Sequence, residues 1–275
     1  MTVPCGKCRG CQIDYSRDWA VRCAHEARMH DENSIITLTY APENLPPNGG
    51  LVKEDFVGFM KRLRNDVPRI RFFQCGEYGK HGPGHHPHFH AIIFGFKFPD
   101  RYYWTTTRAG TRQYRSPLLE RKWTAGNSTV GDFTWKGAAY CARYITKKVF
   151  GEKAVEHYKD LQPEYVTMSR GGREGKGIGY EWFKEFYGDV FPDDFIVIEG
   201  KRYPVPRYYD ELYEEMFPGR LEVIKKRRLE RARVSEKRYS ETNNNKIRRE
   251  DKREECLAAR TRKLERNLED GTQSF

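Results

Sequence analysis

Residues 74–95 read QCGEYGKHGPGHHPHFHAIIFG and hold three side chains suited to metal chemistry, Glu77, His88 and His90. His88-Phe89-His90 runs straight into Ala91-Ile92-Ile93-Phe94, and a run of this kind reads as a β-strand. In a strand, residues i and i+2 share a face, so the two imidazoles would stand side by side with Phe89 turned to the core. A strand is expected over 70–76 as well, joined to the first by a loop of Gly, Pro, Lys and His. The two read as an antiparallel hairpin with Glu77 at the end of its first strand. Pairing would bring the carboxylate to the imidazoles and create an open divalent-metal site for Mn²⁺ or Mg²⁺. The plainer alternative is a hydrogen-bonded surface pair within a cluster that also includes His81, His85 and His86.

About fifty residues on comes Tyr140-Cys-Ala-Arg143-Tyr144-Ile-Thr-Lys147. The stretch 135–150 lacks proline and reads as a helix. Tyr140 and Tyr144 stand at i and i+4, so both hydroxyls project from one face. Arg143 and Lys147 each follow a tyrosine by three positions. A phenol has a pKa of about 10 and attacks only with help; a neighbouring cation can stabilise phenolate or phosphate charge. An amphipathic helix with half-buried tyrosines is the bland alternative.

A third cluster opens the chain. Cys5, Cys8 and Cys11 are spaced C-x₂-C-x₂-C, and Cys23 follows on a helix expected over 16–29. Four thiolates satisfy a tetrahedral structural Zn²⁺, with His25 or His30 able to replace one of them. An iron–sulfur cluster tolerates the same spacing, and reduced, buried cysteines need no metal at all. Cys75, Cys141 and Cys256 are scattered and expected to be free.

The remaining elements must position these groups. A strand rich in Ile and Thr is expected over 34–40, a Pro/Gly loop over 41–50, and a helix over 54–67 whose stripe is Phe56, Phe59, Met60, Leu63 and Val67. Residues 96–134 mix Tyr102, Tyr103, Trp104 and Tyr114 with Arg101, Arg108, Arg112 and Arg115. They read either as a single-stranded nucleic-acid contact, with aromatics stacking on bases, or as an ordinary exposed strand. Residues 126–131 read as a turn. A last strand is expected over 164–168, then the loop 169–177, whose glycines and cations can cradle phosphate, then a helix over 180–187. The loop is not a Walker A sequence, because Lys176 is followed by Gly177.

The chain resembles the HUH endonucleases of rolling-circle replication. The resemblance rests on the 35–40 strand, on His88-Phe89-His90 and on the two-tyrosine helix, in that order. Within that superfamily it is similar to the replication initiation proteins of microviruses, the gokushovirus-like single-stranded DNA phages, through PCGKCRGC, CGEYG, HPHFHAIIFG and YCARYITK. The resemblance covers about residues 1–190. It implies an endonuclease that nicks single-stranded or locally melted viral origin DNA and forms a 5′-phosphotyrosyl link. It also implies two alternating tyrosine nucleophiles, Tyr140 and Tyr144, and rejoining without ATP. The family often has a lysine where Arg143 stands. With no helicase motor in the sequence, a host helicase and polymerase are the expected partners. A non-catalytic single-stranded-DNA-binding protein with a structural metal, or a plasmid-type initiator or relaxase, are the alternatives.

Composition agrees with a polyanionic partner: the 275 residues carry a net charge of +11 and a pI of about 9.2. No apolar run is long enough for a membrane span and the first residues lack a signal-peptide core, so the expected compartment is the host bacterial cytoplasm. The expected fold is α+β, a central antiparallel sheet with packed helices in the manner of an HUH endonuclease with a ferredoxin- or RRM-like core. The expected organisation is a Cys-rich segment 1–33, an endonuclease domain 34–190, a connector 191–218 and a charged, partly helical or disordered tail 219–275.

Overall fold

The computed structural model describes residues 5–79, 86–107, 109–170, 176–241, 252 and 255–259. His81, His85, Arg108, most of the 169–177 glycine loop and the tail beyond 241, apart from 252 and 255–259, lie outside them. The fold is α+β. A compact unit runs to Trp182, and a second begins at Phe183.

The first unit is built on a seven-stranded sheet: β1 (Asn33–Tyr40), β2 (Arg71–Glu77), β3 (His88–Phe94), β4 (Tyr102–Thr106), β5 (Arg112–Arg115), β6 (Gly126–Asp132) and β7 (Tyr165–Met168). The strand order is β4-β5-β6-β1-β3-β2-β7, and every pairing is antiparallel. β3 lies inside the sheet between β1 and β2, as its unbroken apolar run requires; all seven of its residues are buried.

Alternation along the strands divides the core into two. On one face Ile36, Leu38, Phe89, Ala91 and Ile93 pack against Phe56, Phe59, Met60 and Leu63 of α2 (Lys53–Asp66), Leu119 of α3 (Pro117–Lys122), and Trp123. On the other, Phe73, Ile92 and Phe94 pack against Trp19, Ala20, Cys23 and Ala27 of α1 (Arg9–Arg28) and Ala138, Cys141 and Ala142 of α4 (Trp135–Arg143). Gly137 lets α4 come close to the sheet: a Cβ there would sit 2.3 Å from Ile35 Cδ1. His88 and His90, in step with Ile92 and Phe94 along β3, share the α1/α4 face.

Two expectations need correction. Residues 126–131 form most of β6 rather than a turn. The sequence Gly-Asn-Ser-Thr-Val-Gly has little strand propensity, but the free edge of β1 needs partners, and Ser34–Tyr40 pair with Asp132–Gly126 in register. The helix expected over 135–150 ends at Arg143 and tightens into a 3₁₀ turn, Tyr144–Lys147. There the Thr146 hydroxyl donates to the Arg143 carbonyl at 2.7 Å, a side-chain bond that competes with helix propagation. α5 (Glu152–Tyr158) follows.

α6 (Tyr180–Val190) includes the point where the second unit begins. That unit adds the hairpin β8 (Ile196–Ile198) and β9 (Lys201–Tyr203), α7 (Arg207–Met216) and α8 (Arg220–Glu241). The basic run 225–228 is not wholly solvated: Arg228 is held by Asp194 at 2.9 Å and Asp210 at 2.7 Å. Among the described residues no helix is long and apolar enough to cross a membrane.

Candidate metal and tyrosine site

Strand register assembles the first cluster. Glu77 is the direct partner of His88 across β2–β3, and Cys75 is the partner of His90. Glu77 is completely buried, and His88 and His90 nearly so. Their donor atoms lie within 4.8 Å of one another. Glu77 Oε1 is in close contact with His88 Nε2 and 3.5 Å from His90 Nε2.

The other nitrogen of each ring is tied down. His88 Nδ1 faces the His86 carbonyl at 2.8 Å, and His90 Nδ1 faces the Thr37 hydroxyl at 3.0 Å. A proton on each Nδ1 leaves both Nε2 lone pairs turned to the carboxylate. Glu77 Oε1 and the two Nε2 atoms are buried without a hydrogen-bond partner. Orphaned buried polar atoms are costly. Two imidazoles and a carboxylate converging with free lone pairs are a donor set that fits a divalent cation.

Electrostatics agree. Burial alone would raise the Glu77 carboxyl, but His88, His90 and Lys147 outweigh it and hold the group well below the usual carboxylate range. Burial lowers His90 to about 4, so its imidazole is neutral near pH 7, the form that ligates metals. His88 is raised, because Glu77 overcomes the effect of burial.

The tyrosines reach the same place. The Tyr144 ring stacks on His90 with centroids 4.5 Å apart, and Tyr140 meets His90 edge-on at 5.6 Å. The Tyr144 hydroxyl donates to the Tyr140 oxygen in a short hydrogen bond. Tyr144 is buried and Tyr140 only partly so. Burial raises both phenols above their ordinary value, reinforced by the charge of Glu77. The bond between them acts oppositely on its ends, favouring ionisation of Tyr140 and opposing that of Tyr144.

The two cations differ. Lys147 Nζ bonds Glu77 Oε2 at 2.7 Å and lies 4.9 Å from the centre of the Tyr144 ring. Arg143 Nε is buried with no hydrogen-bond partner, and burial lowers the basicity of its guanidinium.

The cysteine expectation divides. Cys5, Cys8 and Cys11 come together, with Cys8 and Cys11 sulfurs 3.5 Å apart and those of Cys5 and Cys11 4.0 Å apart. Cys23 does not join them. Cys11 and Cys23 both lie on α1, and twelve residues of helix span about 18 Å. Cys23 instead packs in the core with Ala138 and Cys141. His25, stacked on Trp182 with centroids 3.4 Å apart, and His30, 3.4 Å from Glu26, are likewise at the far end of α1. Cys75, Cys141 and Cys256 are free.

Sequence reasoning left 96–134 unresolved. Its β4–β5 hairpin forms an edge of the sheet, with Tyr102, Tyr103 and Trp104 about half exposed. A register shift between Tyr103 and Thr105 puts Trp104 in a bulge, where Arg115 lies 5.3 Å from the ring; Arg101 lies 4.3 Å from that of Tyr114.

A family of replication-associated proteins, the ORF2 type, matches residues 33–149, a span that holds the histidine hairpin and both tyrosines but not the cysteine trio. The chain is 34% identical over 225 residues to Replication-associated protein ORF2 of Spiroplasma virus 4, covering 76% of this chain and 67% of the relative. It is 32% identical over 216 residues to Replication-associated protein VP4 of Bdellovibrio phage phiMH2K, covering 75% and 65%. To Replication-associated protein ORF4 of Chlamydia phage 1 it is 34% identical over 220 residues, covering 75% and 52%. The chain thus spans about two thirds of the first two relatives and about half of the third. No solved structure matches it.

Proposed function

The chain belongs to the ORF2-type family of replication-associated proteins, and on that footing we propose that it initiates phage DNA replication as a metal-dependent, tyrosine-using endonuclease of the HUH type. The observation that carries the reading is the convergence of Tyr140 and Tyr144 on His90, beside Glu77 and His88. A binding protein has no need of two phenols packed against three unsatisfied metal donors.

Glu77, His88 and His90 would hold Mn²⁺ or Mg²⁺, which when bound polarises the scissile phosphate and offsets its developing charge. Tyr140, the more accessible phenol and the hydrogen-bond acceptor of the pair, is the first nucleophile. Its oxygen forms a bond to phosphorus, the bond from phosphorus to the 3′ oxygen breaks, and the phenolic proton passes on balance to that oxygen. The products are a 5′-phosphotyrosyl link and a free 3′-hydroxyl that a polymerase can extend. Tyr144 supports this step by donating a hydrogen bond to the Tyr140 oxygen as charge develops there. It is also the second nucleophile, able to cut a new end while Tyr140 holds the old one. Lys147 keeps the Glu77 carboxylate ionised, and the unpartnered Arg143 Nε is a donor for phosphate oxygen.

The exposed aromatics of β4 and the adjoining arginines would hold the single strand by stacking and phosphate contact. The test is incubation of the purified chain with labelled single-stranded origin DNA and Mn²⁺ or Mg²⁺. A covalent protein–DNA adduct that needs the ion supports the reading; DNA binding without any adduct would return the protein to the class of non-catalytic binders.

A further inference from the structure

The cysteine trio lies outside the hairpin-and-tyrosine site and outside the family match. Its geometry distinguishes among the metals that its spacing allows. A Zn–S bond of about 2.3 Å in a tetrahedron puts neighbouring sulfurs about 3.8 Å apart. The Cys8–Cys11 and Cys5–Cys11 separations of 3.5 and 4.0 Å bracket that edge. Cysteines on an iron–sulfur cluster each bind a separate iron and stand wider apart.

The backbone is shaped for the same purpose. Gly6 takes a left-handed φ of +72°, turning the chain tightly after Cys5. That turn lets the Cys8 N–H donate to the Cys5 sulfur at 3.2 Å, a bond that stabilises a thiolate. Cys8 is also the N-cap of α1, so the positive end of a 20-residue helix faces the sulfurs.

The first turns of α1 are tied to the tyrosine segment. The Arg9 guanidinium donates to the Thr146 carbonyl, and the Gln12 amide to the Lys148 carbonyl, both at 3.1 Å. These two bonds hold the 3₁₀ turn Tyr144–Lys147 and the residue after it.

We propose that Cys5, Cys8 and Cys11 together hold one tetrahedral zinc ion, and that this ion, by fixing the start of α1, anchors the segment that carries Tyr144 and Lys147. Among the described residues the cluster has no further Cys, His, Asp or Glu ligand. The fourth position falls to solvent, in keeping with the exposure of Cys5 and Cys8.

The test needs no DNA, so its failure is separate from failure of the endonuclease reading. Zinc is counted by elemental analysis in a full-length His88→Ala/His90→Ala background, which removes the other metal site. One zinc per chain is expected. It should be lost in Cys8→Ser and Cys11→Ser and kept in Cys23→Ser. Cobalt in place of zinc should give thiolate-to-metal charge-transfer absorption that the same two substitutions abolish. Should the serine variants misfold, a mercurial thiol reagent added to the intact protein should release one zinc as three accessible thiols react. Amide exchange over residues 144–148 should then quicken by about tenfold or more as the turn loosens. Zinc-free protein from zinc-supplemented cells, iron with acid-labile sulfide, or zinc retained by Cys8→Ser would overturn the site. Unchanged exchange over 144–148 after zinc release would overturn the anchoring.

Discussion

Lys147 is bonded to Glu77, at 2.7 Å, across 70 residues of sequence, and its ammonium lies against the Tyr144 ring rather than on the hydroxyl. Its main influence on chemistry therefore passes through the carboxylate. Lys147→Ala should slow single-turnover cleavage by about 10²-fold, the scale of losing one charged donor at a reacting centre. Affinity for single-stranded DNA should change little. Equal losses in cleavage and in DNA binding would show that Lys147 is a phosphate contact instead.

The two phenols are not equivalent. Each of Tyr140→Phe and Tyr144→Phe removes a hydroxyl and little packing volume. Tyr144→Phe should keep adduct formation at Tyr140, slowed by about tenfold through loss of the donated hydrogen bond. Tyr140→Phe should be the more damaging single change, and the double variant should form no adduct. Both single variants should fail at the second transfer that closes a circle. Peptide mapping of the DNA-linked residue decides the matter: an adduct on Tyr114 would remove both tyrosines from the mechanism.

Metal removal should separate binding from cutting. His90→Ala deletes one of three convergent donors and should abolish cleavage while leaving most DNA affinity, which phosphate contacts dominate. Mn²⁺ should support cleavage better than Mg²⁺, which prefers oxygen ligands. Full cleavage in excess EDTA is the result that would contradict this.

On the outer hairpin, replacing Tyr102 and Trp104 with Ala should weaken single-strand binding by about 1–3 kcal/mol for each base that loses its stacking partner. The salt dependence should hardly move, because no phosphate contact is lost. Arg112→Ala should reduce the salt slope instead. Binding isotherms across a range of salt concentrations distinguish the two effects.

Acid should destabilise the first unit through His25. Burial, then the nearby Arg28, depress its pKa from 6.5 to about 3 in the folded chain. Between those values the unfolded chain binds the extra proton, so stability falls as pH drops below about 6.5 and levels off near 3. The loss at its largest is about 2–4 kcal/mol for a shift of this size. His25→Phe keeps a ring against Trp182 and removes the titration. Urea unfolding at pH 7 and pH 4 should show a smaller difference for the variant than for the parent chain.

Much of the site could be read from residue order. Alternation in His88-Phe89-His90 put both imidazoles on one face, and the i, i+4 spacing of Tyr140 and Tyr144 survived the change to a 3₁₀ turn. What escaped was set by tertiary contact. Gly126–Asp132 is a strand only because β1 has an edge to be paired. Cys23 looked like a fourth ligand because sequence spacing does not display a helix axis; burial in the α1/α4 core claimed it instead. Arg228 read as one more charge in a basic run, and only Asp194 and Asp210, distant in sequence, revealed its partners.

Glu77 and His88 are only eleven positions apart and face each other across one hairpin. Their meeting closes a short loop, whereas Tyr144 and Lys147 must return from far along the chain. On a ribosome the ion-binding half of the centre would emerge first and could form while the nucleophiles were still unmade. A nascent chain would then carry its ligands well before it could cut, which keeps the growing polypeptide from attacking the DNA of its own host before it is whole.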